Sequence, residues 1–158
     1  MYSYTKKAYR LFVNEFLSDM EMYAVAKLIV ESGVFPKDDA IRIISKLKRF
    51  TALKDCEAAD RMVSREFSDY SGAIYACDSI MENIWRFASA IANRREVTVT
   101  YFEEDGSVSL RRIQPSLLDM SGKYFFLTAC IAGSRGIPYH FRVDKVTKIV
   151  EHRKRFDL

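Results

Sequence analysis

Gly122-Lys123-Tyr124-Phe125-Phe126-Leu127-Thr128-Ala129-Cys130 is the stretch that decides the fold of this 158-residue chain. It follows the turn-forming residues Met120-Ser121-Gly122 and is apolar or aromatic at most positions. A short apolar run bounded by turn residues is typical of a buried strand. We therefore predict a central β-strand over residues 123–131, with the segments on either side pairing with it.

The neighbouring segments alternate with the period of two that a sheet requires. The pattern predicts strands over residues 97–102, 108–115, 139–143 and 146–151, and Glu104-Asp105-Gly106-Ser107 predicts a hairpin turn between the first two. Five short strands linked by turns are typical of a small, strongly bent β-barrel. Closing such a sheet would remove its exposed edges.

The residues before this sheet carry helical patterns. Ser18-Asp19-Met20-Glu21 is a capping-box sequence, and it predicts a helix that runs to about Ser32 and ends at Gly33. Pro36 opens a second helix that reaches Phe50, and together the two form a helical hairpin. A third helix is expected over residues 74–93, where the apolar residues recur at helical spacing.

The parts between these helices are weakly patterned. Residues 11–16 suit a short strand, residues 53–61 suit a continuation of the helix, and residues 69–72 suit a linker. The predicted fold class is therefore α+β, with a helical linker or dimerisation segment over residues 1–72. Residues 73–158 form the second predicted domain, a five-stranded β-barrel with its leading helix.

Composition restricts the class of protein and its partners. The net charge of +4 sits in residues 91–158, which hold 12 basic and 8 acidic residues, and this favours an anionic partner. No apolar run is long enough for a transmembrane helix, and charges occupy the N-terminus where a signal peptide needs an apolar run. Three scattered cysteines without a C-x-x-C pair favour reduced thiols. We predict a cytoplasmic protein without a membrane partner.

No catalytic motif is present. The chain has no G-x-S-x-G, P-loop, H-E-x-x-H or dinucleotide-binding sequence. Two histidines and three scattered cysteines make no closed metal site. A Cys130–His140 pair is the remaining catalytic alternative, but a cysteine on an apolar strand usually belongs to the core. We predict a protein that is not an enzyme and needs no metal or cofactor.

The strand 139–143 carries the most informative polar residues. Alternation places Tyr139 and Phe141 on one face, and His140 and Arg142 side by side on the other. Arg111 shares a face with Ile113 on the return strand, whereas Arg112 and Gln114 share the opposite one. Arginines that converge on one flank of the barrel suit a phosphate or carboxylate. The alternative is a solvated face on which Arg142 pairs with Asp144 or a glutamate.

A second basic feature is the run His152-Arg153-Lys154-Arg155. Its interpretation is open between a solvated tail and a surface that contacts nucleic acid. The aromatic residues on the strands suit base stacking, although a small barrel also needs such residues for its core.

Three segments together resemble a WYL domain: Ile113-Gln114-Pro115-Ser116-Leu117-Leu118, Gly122 to Ala129, and His140-Phe141-Arg142-Val143-Asp144-Lys145-Val146. The resemblance covers about residues 75–151, and residues 11–55 resemble the helical segment that precedes the domain. It implies an Sm-like, SH3-type barrel that acts as a sensor in bacterial transcriptional regulators and binds an anionic ligand. Phe125 would replace the tyrosine of the family's triplet without its hydroxyl, and His140 and Arg142 would lie on the arginine-bearing strand. Ser116 stands where family members often have an aromatic residue.

The sequence therefore predicts a ligand-sensing regulatory domain that binds a nucleotide or nucleic acid on the barrel face. The candidate ligand-binding residues are Arg142, His140, Arg111, Arg112, Gln114, Phe125 and Ser116. We expect a homodimer through the helical segment. No helix-turn-helix is recognisable before residue 18, so DNA would be reached only through a missing or separate DNA-binding domain. The alternatives are a direct single-stranded nucleic-acid-binding module and a ligand-free dimerisation or assembly domain.

Overall fold

The computed structural model describes residues 17–51, 56–73, 75, 77–134 and 136–156. The chain divides into two compact units, a helical unit (Met1–Gly72) and a sheet unit (Ala73–Leu158). In the described residues, the first holds helices and the second holds one α-helix and a five-stranded antiparallel sheet, which confirms the α+β class. The short strand expected over residues 11–16 lies outside the described part of the chain.

The helical unit contains α1 (Asp19–Ser32), α2 (Lys37–Leu47) with a 3-10 turn (Lys48–Phe50), and α3 (Cys56–Glu66). The predicted capping box begins α1: the Glu21 backbone N–H donates to Ser18 Oγ, and the Ser18 backbone N–H donates to the Glu21 carboxylate at 2.8 Å. Gly33 ends the helix in the left-handed region, with φ of 61°. The predicted bounds of α1 are therefore confirmed.

Apolar residues from each of these three described helices make the core of the helical unit. It contains Met22, Ala26, Val30, Ala40, Ile44, Val63 and Tyr70. The Tyr70 hydroxyl donates to the backbone carbonyl of Phe35 at 2.6 Å. The interpretation of residues 69–72 as a linker is therefore incomplete, because this segment contributes a buried tyrosine to the core.

The helix of the sheet unit, α4 (Ile80–Ala92), begins later than predicted. Ser79 is its N-cap, and the Glu82 backbone N–H donates to Ser79 Oγ at 3.3 Å. The prediction of a helix from residue 74 is wrong for residues 75 and 77–79, which are not helical. Asn83, Phe87 and Ala90 are buried on the face of α4 that packs on the sheet.

The five strands are β1 (Arg95–Phe102), β2 (Val108–Ser121), β3 (Tyr124–Ile131), β4 (Pro138–Arg142) and β5 (Val146–Arg155). Their order in the sheet is β4-β3-β2-β1-β5, and every neighbouring pair is antiparallel. The central strand predicted over residues 123–131 is β3, which pairs with β2 and β4. The middle strand of the sheet, however, is β2.

The sheet is not closed, so the prediction of a β-barrel is correct only in the sense of a curved, barrel-like sheet. β4 and β5 are its two edges. The strand expected over residues 139–143 ends at Arg142, and a 3-10 turn (Val143–Lys145) leads from one edge strand to the other. In the described residues, β4 and β5 are not neighbours in the sheet, so the ladder that would close a barrel is not formed.

The basic run at residues 152–155 continues β5 and is not a solvated tail. Arg155 lies opposite Arg95 in the ladder, and the Phe156 backbone N–H donates to the Arg94 carbonyl at 3.0 Å. Phe156 is buried. The predicted end of the strand at residue 151 is therefore wrong, because backbone pairing with β1 extends through the charged residues.

One face of the sheet, called the inner face here, is lined by buried residues that include Val97, Val99, Ile113, Leu127 and Phe141. Because side chains alternate along a strand, the intervening residues lie on the opposite, outer face. Among the helices that the structure describes, none combines the length and hydropathy needed to cross a bilayer.

Candidate ligand-binding face

The strand register assembles the outer face of β2, β3 and β4 in rows. One row contains Gln114, Cys130 and Pro138, the next Leu117, Thr128 and His140, and the third Asp119, Phe126 and Arg142. The register shifts between Pro115 and Leu117, so Ser116 is an extra residue beside the second row. The sheet thereby places Arg112, Gln114, Ser116, His140 and Arg142 on the outer face.

Arg142 is held on two sides. Its guanidinium carbon lies 3.8 Å from the centroid of the Tyr124 ring. Its Nε and one terminal nitrogen donate to the Asp144 carboxylate at 3.1 and 2.8 Å. The pairing with Asp144, the alternative considered from the sequence, is therefore present.

The pairing leaves Arg142 with spare donor groups. The neighbouring Asp144 carboxylate, which is only 3% exposed, holds the pKa of Arg142 above its ordinary value. A guanidinium has five N–H groups; Asp144 engages two of its nitrogens, and the Tyr124 side chain also hydrogen-bonds the group. The result is an oriented cation that keeps donors for a second anion.

His140 is exposed and bonded to the neighbouring strand. Its Nδ1 lies 3.1 Å from Thr128 Oγ1, and Ser116 Oγ donates to the Thr128 carbonyl at 3.0 Å. His140 and Arg142 are two residues apart on one strand, so their Cα atoms are separated by about 6.6 Å along the outer face. One ligand of nucleotide size spans that distance.

Arg112 and Gln114 have a different partner. Both donate to Glu96, Arg112 through Nε at 2.8 Å and Gln114 through Nε2 at 2.9 Å. Glu96 is 3% exposed, and a buried carboxylate requires such donors. The contacts assign these two side chains to the support of Glu96.

Arg111 and Phe125 alternate with the outer-face residues and lie on the other side of the sheet. Arg111 pairs with Glu103, and its guanidinium carbon lies 5.8 Å from the centroid of the Phe141 ring. Phe125 lies opposite Met120 of β2. The seven predicted residues are thus not brought together in one site.

A cleft of about 710 Å³ opens between the β1–β2 hairpin and β4. Arg111 and His140 line it, together with the aromatic residues Tyr101, Tyr139 and Phe141 and the carboxylates Glu103, Glu104 and Asp105. Hydrogen bonds from Ser109 and Arg111 hold the pKa of Glu103 below its ordinary value, so this carboxylate is ionised at neutral pH. Carboxylates repel an anion. The cleft holds three carboxylates against one arginine, whereas Asp119 and Asp144 are the carboxylates beside Arg142 and His140, so the outer face is the better place for an anionic group.

Sequence reasoning names Asp144 as an alternative partner of Arg142, but it does not find Tyr124, which it groups with the aromatic residues of the strands. The register of β3 against β4 decides which aromatic ring lies beside Arg142, and it depends on tertiary pairing. Across the described ranges, no cluster of three or more potential metal ligands is present.

Three comparisons relate the chain to known proteins. The family model described as WYL domain matches residues 82–151. No curated protein matches the sequence. Among solved structures, proteasome accessory factor B/C of Arthrobacter aurescens is similar at 16% identity and a TM-score of 0.44, with 88% of this chain and 21% of that chain covered. This chain spans about one fifth of that protein, and the likeness is too weak to locate a function.

Proposed function

From the premise that the chain carries a WYL domain over residues 82–151, we propose that it is a ligand-sensing regulatory domain of a bacterial transcriptional regulator. The ligand is anionic and binds the outer face at Arg142 and His140. The observation that supports this most is the Arg142 guanidinium, held between the Tyr124 ring and the Asp144 carboxylate.

The chemistry of this arrangement suits a phosphate or carboxylate. Hydrogen bonds between a guanidinium and an oxyanion are charge-assisted and frequently bidentate. Because Arg142 is already oriented, a ligand loses little free energy in ordering it. The exposed His140 ring and the Thr128 hydroxyl add polar groups on the same face.

The turn beside Arg142 connects the binding face to α4. Asp144 lies in this turn, and Asn83 of α4 donates to the backbone carbonyls of Val143 and Val146 at 3.3 and 2.8 Å. A ligand that binds the remaining donors of Arg142 gives Asp144 a competing anion at its partner, and so changes the forces on the turn that α4 contacts. Such a change transmits a signal if the ligand favours one of two arrangements of α4.

A thermal-shift screen tests the proposal. Wild-type protein is heated with nucleotides, with the matching uncharged nucleosides, and with short oligonucleotides. We expect at least one nucleotide or oligonucleotide to raise Tm in a concentration-dependent way, and its uncharged counterpart to have no effect. A flat response across the whole anionic panel would contradict the proposal and would favour the ligand-free assembly domain.

A matched pair of variants locates the site within the same screen. Arg142→Lys keeps the positive charge but lacks the planar fork, and Lys148→Gln removes an exposed charge on β5. We expect the first to reduce the ligand-induced shift and the second to leave it unchanged. Equal shifts in the two variants would place the ligand elsewhere.

The second candidate function is direct binding of single-stranded nucleic acid. It is favoured by Tyr124 and Phe126, which are half-buried on the outer face next to Arg142 and offer rings for base stacking. A polyanion binds less tightly as salt rises, with a linear dependence of log K on log salt. A mononucleotide that binds as tightly as an oligonucleotide would argue against this candidate.

We propose no catalytic role for the domain. Cys130 and His140 stand in adjacent rows of the outer face, and the His140 ring is bonded to Thr128 rather than to Cys130. Substrate turnover that disappears in His140→Ala would contradict this view.

A further inference from the structure

We propose that the sheet unit has a second anion-binding surface, which binds the phosphate backbone of a nucleic acid. It lies where β1 begins and β5 ends, and it is formed by Arg94, Arg95, Arg153 and Arg155. This surface is called the arginine end. It is separate from the Arg142 site, because Arg142 lies next to the turn that leads into β5, whereas Arg153 and Arg155 lie at the opposite end of that strand.

Like charges face one another at the arginine end. Arg95 and Arg155 are directly opposite in the antiparallel ladder between β1 and β5. Like charges in that position destabilise a sheet. Alternation along β5 puts Arg153 on the same face as Arg155, at a Cα separation of about 6.6 Å. A row of cations of this kind is stabilised when an anion binds across it.

Little negative charge compensates this row. Glu151 is shared, at 3.7 Å from Arg86 and 3.8 Å from Arg95. In the part of the chain that the structure describes, no acidic side chain pairs with Arg94, Arg153 or Arg155. All three are exposed. Among the described residues, these three cations therefore lie at the surface without an acidic partner.

The backbone beneath these side chains is fixed. Phe156 is buried, and its backbone N–H donates to the carbonyl of Arg94 at 3.0 Å. Thr98 Oγ1 and His152 Nε2 lie 2.8 Å apart and join β1 to β5 one step further along. Arg94 itself has a φ of 51°, a conformation that costs a residue with a Cβ some strain. Cations on a fixed frame bind with a smaller loss of conformational entropy than those of a free tail.

The chemistry favours a nucleic acid over other polyanions. All four residues are arginines, whose planar fork matches two phosphate oxygens. A nucleic acid also releases condensed counterions when phosphates are neutralised, and a short acidic peptide has no comparable gain. The excess of basic residues over acidic ones in residues 91–158 points in the same direction.

Fluorescence anisotropy of a labelled single-stranded oligonucleotide across a salt series tests the proposal. Arg153→Gln/Arg155→Gln removes two cations from the arginine end. Arg42→Gln/Lys46→Gln removes two exposed cations from the helical unit as a matched control. We expect the first double variant to bind at least tenfold more weakly than wild type at low salt. Its slope of log K against log salt should be shallower by about 1.4. The control should keep the wild-type slope.

Three further measurements decide what the loss means. Arg153→Lys/Arg155→Lys keeps both charges and should keep the salt slope, which shows that the loss in the glutamine variant comes from charge and not from unfolding. Arg142→Gln removes the charge of the small-ligand site and should keep the wild-type slope, so this proposal and the proposed small-ligand site fail or succeed separately. Equal slopes in wild type and the Arg153→Gln/Arg155→Gln variant, or displacement of the oligonucleotide by polyglutamate of equal charge, would overturn the proposal.

Discussion

The turn after Arg142 gives its neighbour Asp144 an environment that strand alternation does not predict. Strict alternation grouped Arg142 with Asp144 on one exposed face, but the chain leaves the strand at Arg142 and enters a 3-10 turn. The turn buries Asp144 while Arg142 stays about one third exposed. The sequence was sufficient to suggest that the two residues pair, and it carried no signal for the burial of the carboxylate.

The burial of Asp144 makes Arg142→Ala a stability variant. Removing the guanidinium leaves a carboxylate that is 3% exposed without its ion-pair partner. We expect the free energy of unfolding of the sheet unit to fall by about 2–3 kcal/mol. Urea titration followed by circular dichroism measures this change.

A second substitution separates the loss of the ion pair from general damage. Asp144→Asn in the Arg142→Ala background removes the unpaired charge and should restore part of the lost stability. If the double variant is no more stable than Arg142→Ala, the buried charge is not the cause.

Two glycines with the same backbone conformation form an internal comparison. Gly72 has φ of 59° and Gly122 has φ of 58°. A Cβ at Gly72 would lie 2.7 Å from the Phe35 carbonyl oxygen, whereas a Cβ at Gly122 would meet no atom within 4 Å. Gly122→Ala should cost about 1–2 kcal/mol through its left-handed conformation alone. Gly72→Ala should cost more, because backbone must also shift.

Thermal and urea unfolding of the two glycine variants check this difference. An equal loss of stability in the two variants would mean that the Phe35 backbone can move at no cost in free energy. Residues 69–72 would then pack less tightly than the buried Tyr70 indicates.

Among the elements, the start of α1 was predictable from its cap residue, whereas the start of α4 was obscured by a second signal. The pattern of serine followed three residues later by glutamate occurs at both Ser18 and Ser79, and both serines cap a helix. At Ser79 the apolar pattern conflicts with the cap, because Cys77 continues the apolar stripe of α4 towards the N-terminus. Strand positions followed from alternation, whereas the register shift at Ser116 depends on the partner strand.

The capping box of α1 predicts an effect of pH. The Ser18 backbone N–H donates to Glu21 and lowers the pKa of its carboxyl group below 4.5. A folded-state pKa below the unfolded value stabilises the protein above pH 4.5, and this contribution is lost as pH falls through the folded-state value. Acidification below pH 4.5 should therefore destabilise the wild-type helical unit.

Glu21→Gln keeps the capping geometry without a titrating group, so it should lose less stability than wild type over the same pH range. Glu104→Gln, in a turn of the sheet unit where Glu104 is exposed, serves as the control for the loss of one charge. Helix content followed during acid titration makes the comparison. An identical decline in wild type and Glu21→Gln would count against the role assigned to the carboxylate.

At the scale of the whole molecule, we propose that the sheet unit binds anions and that the helical unit associates with a second copy. The sheet unit carries the WYL match and both proposed anion-binding surfaces. The helical unit leaves apolar side chains at the surface of α1: Met20 is 81% exposed and Leu28 is 70% exposed. Their spacing of eight residues puts them on one side of the helix. This is the surface through which we propose that two copies of the chain associate.

Sedimentation equilibrium tests this association. Leu28→Glu places a charge on the exposed stripe, so it should shift the protein from dimer to monomer while helix content stays the same. Leu110→Glu changes a leucine of similar exposure, 76%, in the sheet unit and should leave the dimer intact. A monomeric wild-type protein, or equal effects of both substitutions, would contradict the proposed dimer surface.

Alternation and cap residues predicted the α+β class, the five strands and the side of the sheet on which His140 and Arg142 lie. The open edge between β4 and β5 was not predictable, because alternation locates the strands but does not decide whether these two pair with each other. The sequence also did not decide the ion-pair partners of Arg111, Arg112 and Arg142, because tertiary packing places each carboxylate that pairs with them.

The central claim is that Arg142 receives an anion on the outer face. Isothermal titration calorimetry of the compound that gives the largest thermal shift tests it most directly, with wild type, Arg142→Lys and Lys148→Gln measured at one salt concentration. We expect Arg142→Lys to raise Kd by about 10- to 100-fold, the effect of losing one charge-assisted contact, and Lys148→Gln to leave Kd within about twofold of wild type. The same Kd for wild type and Arg142→Lys would contradict the claim.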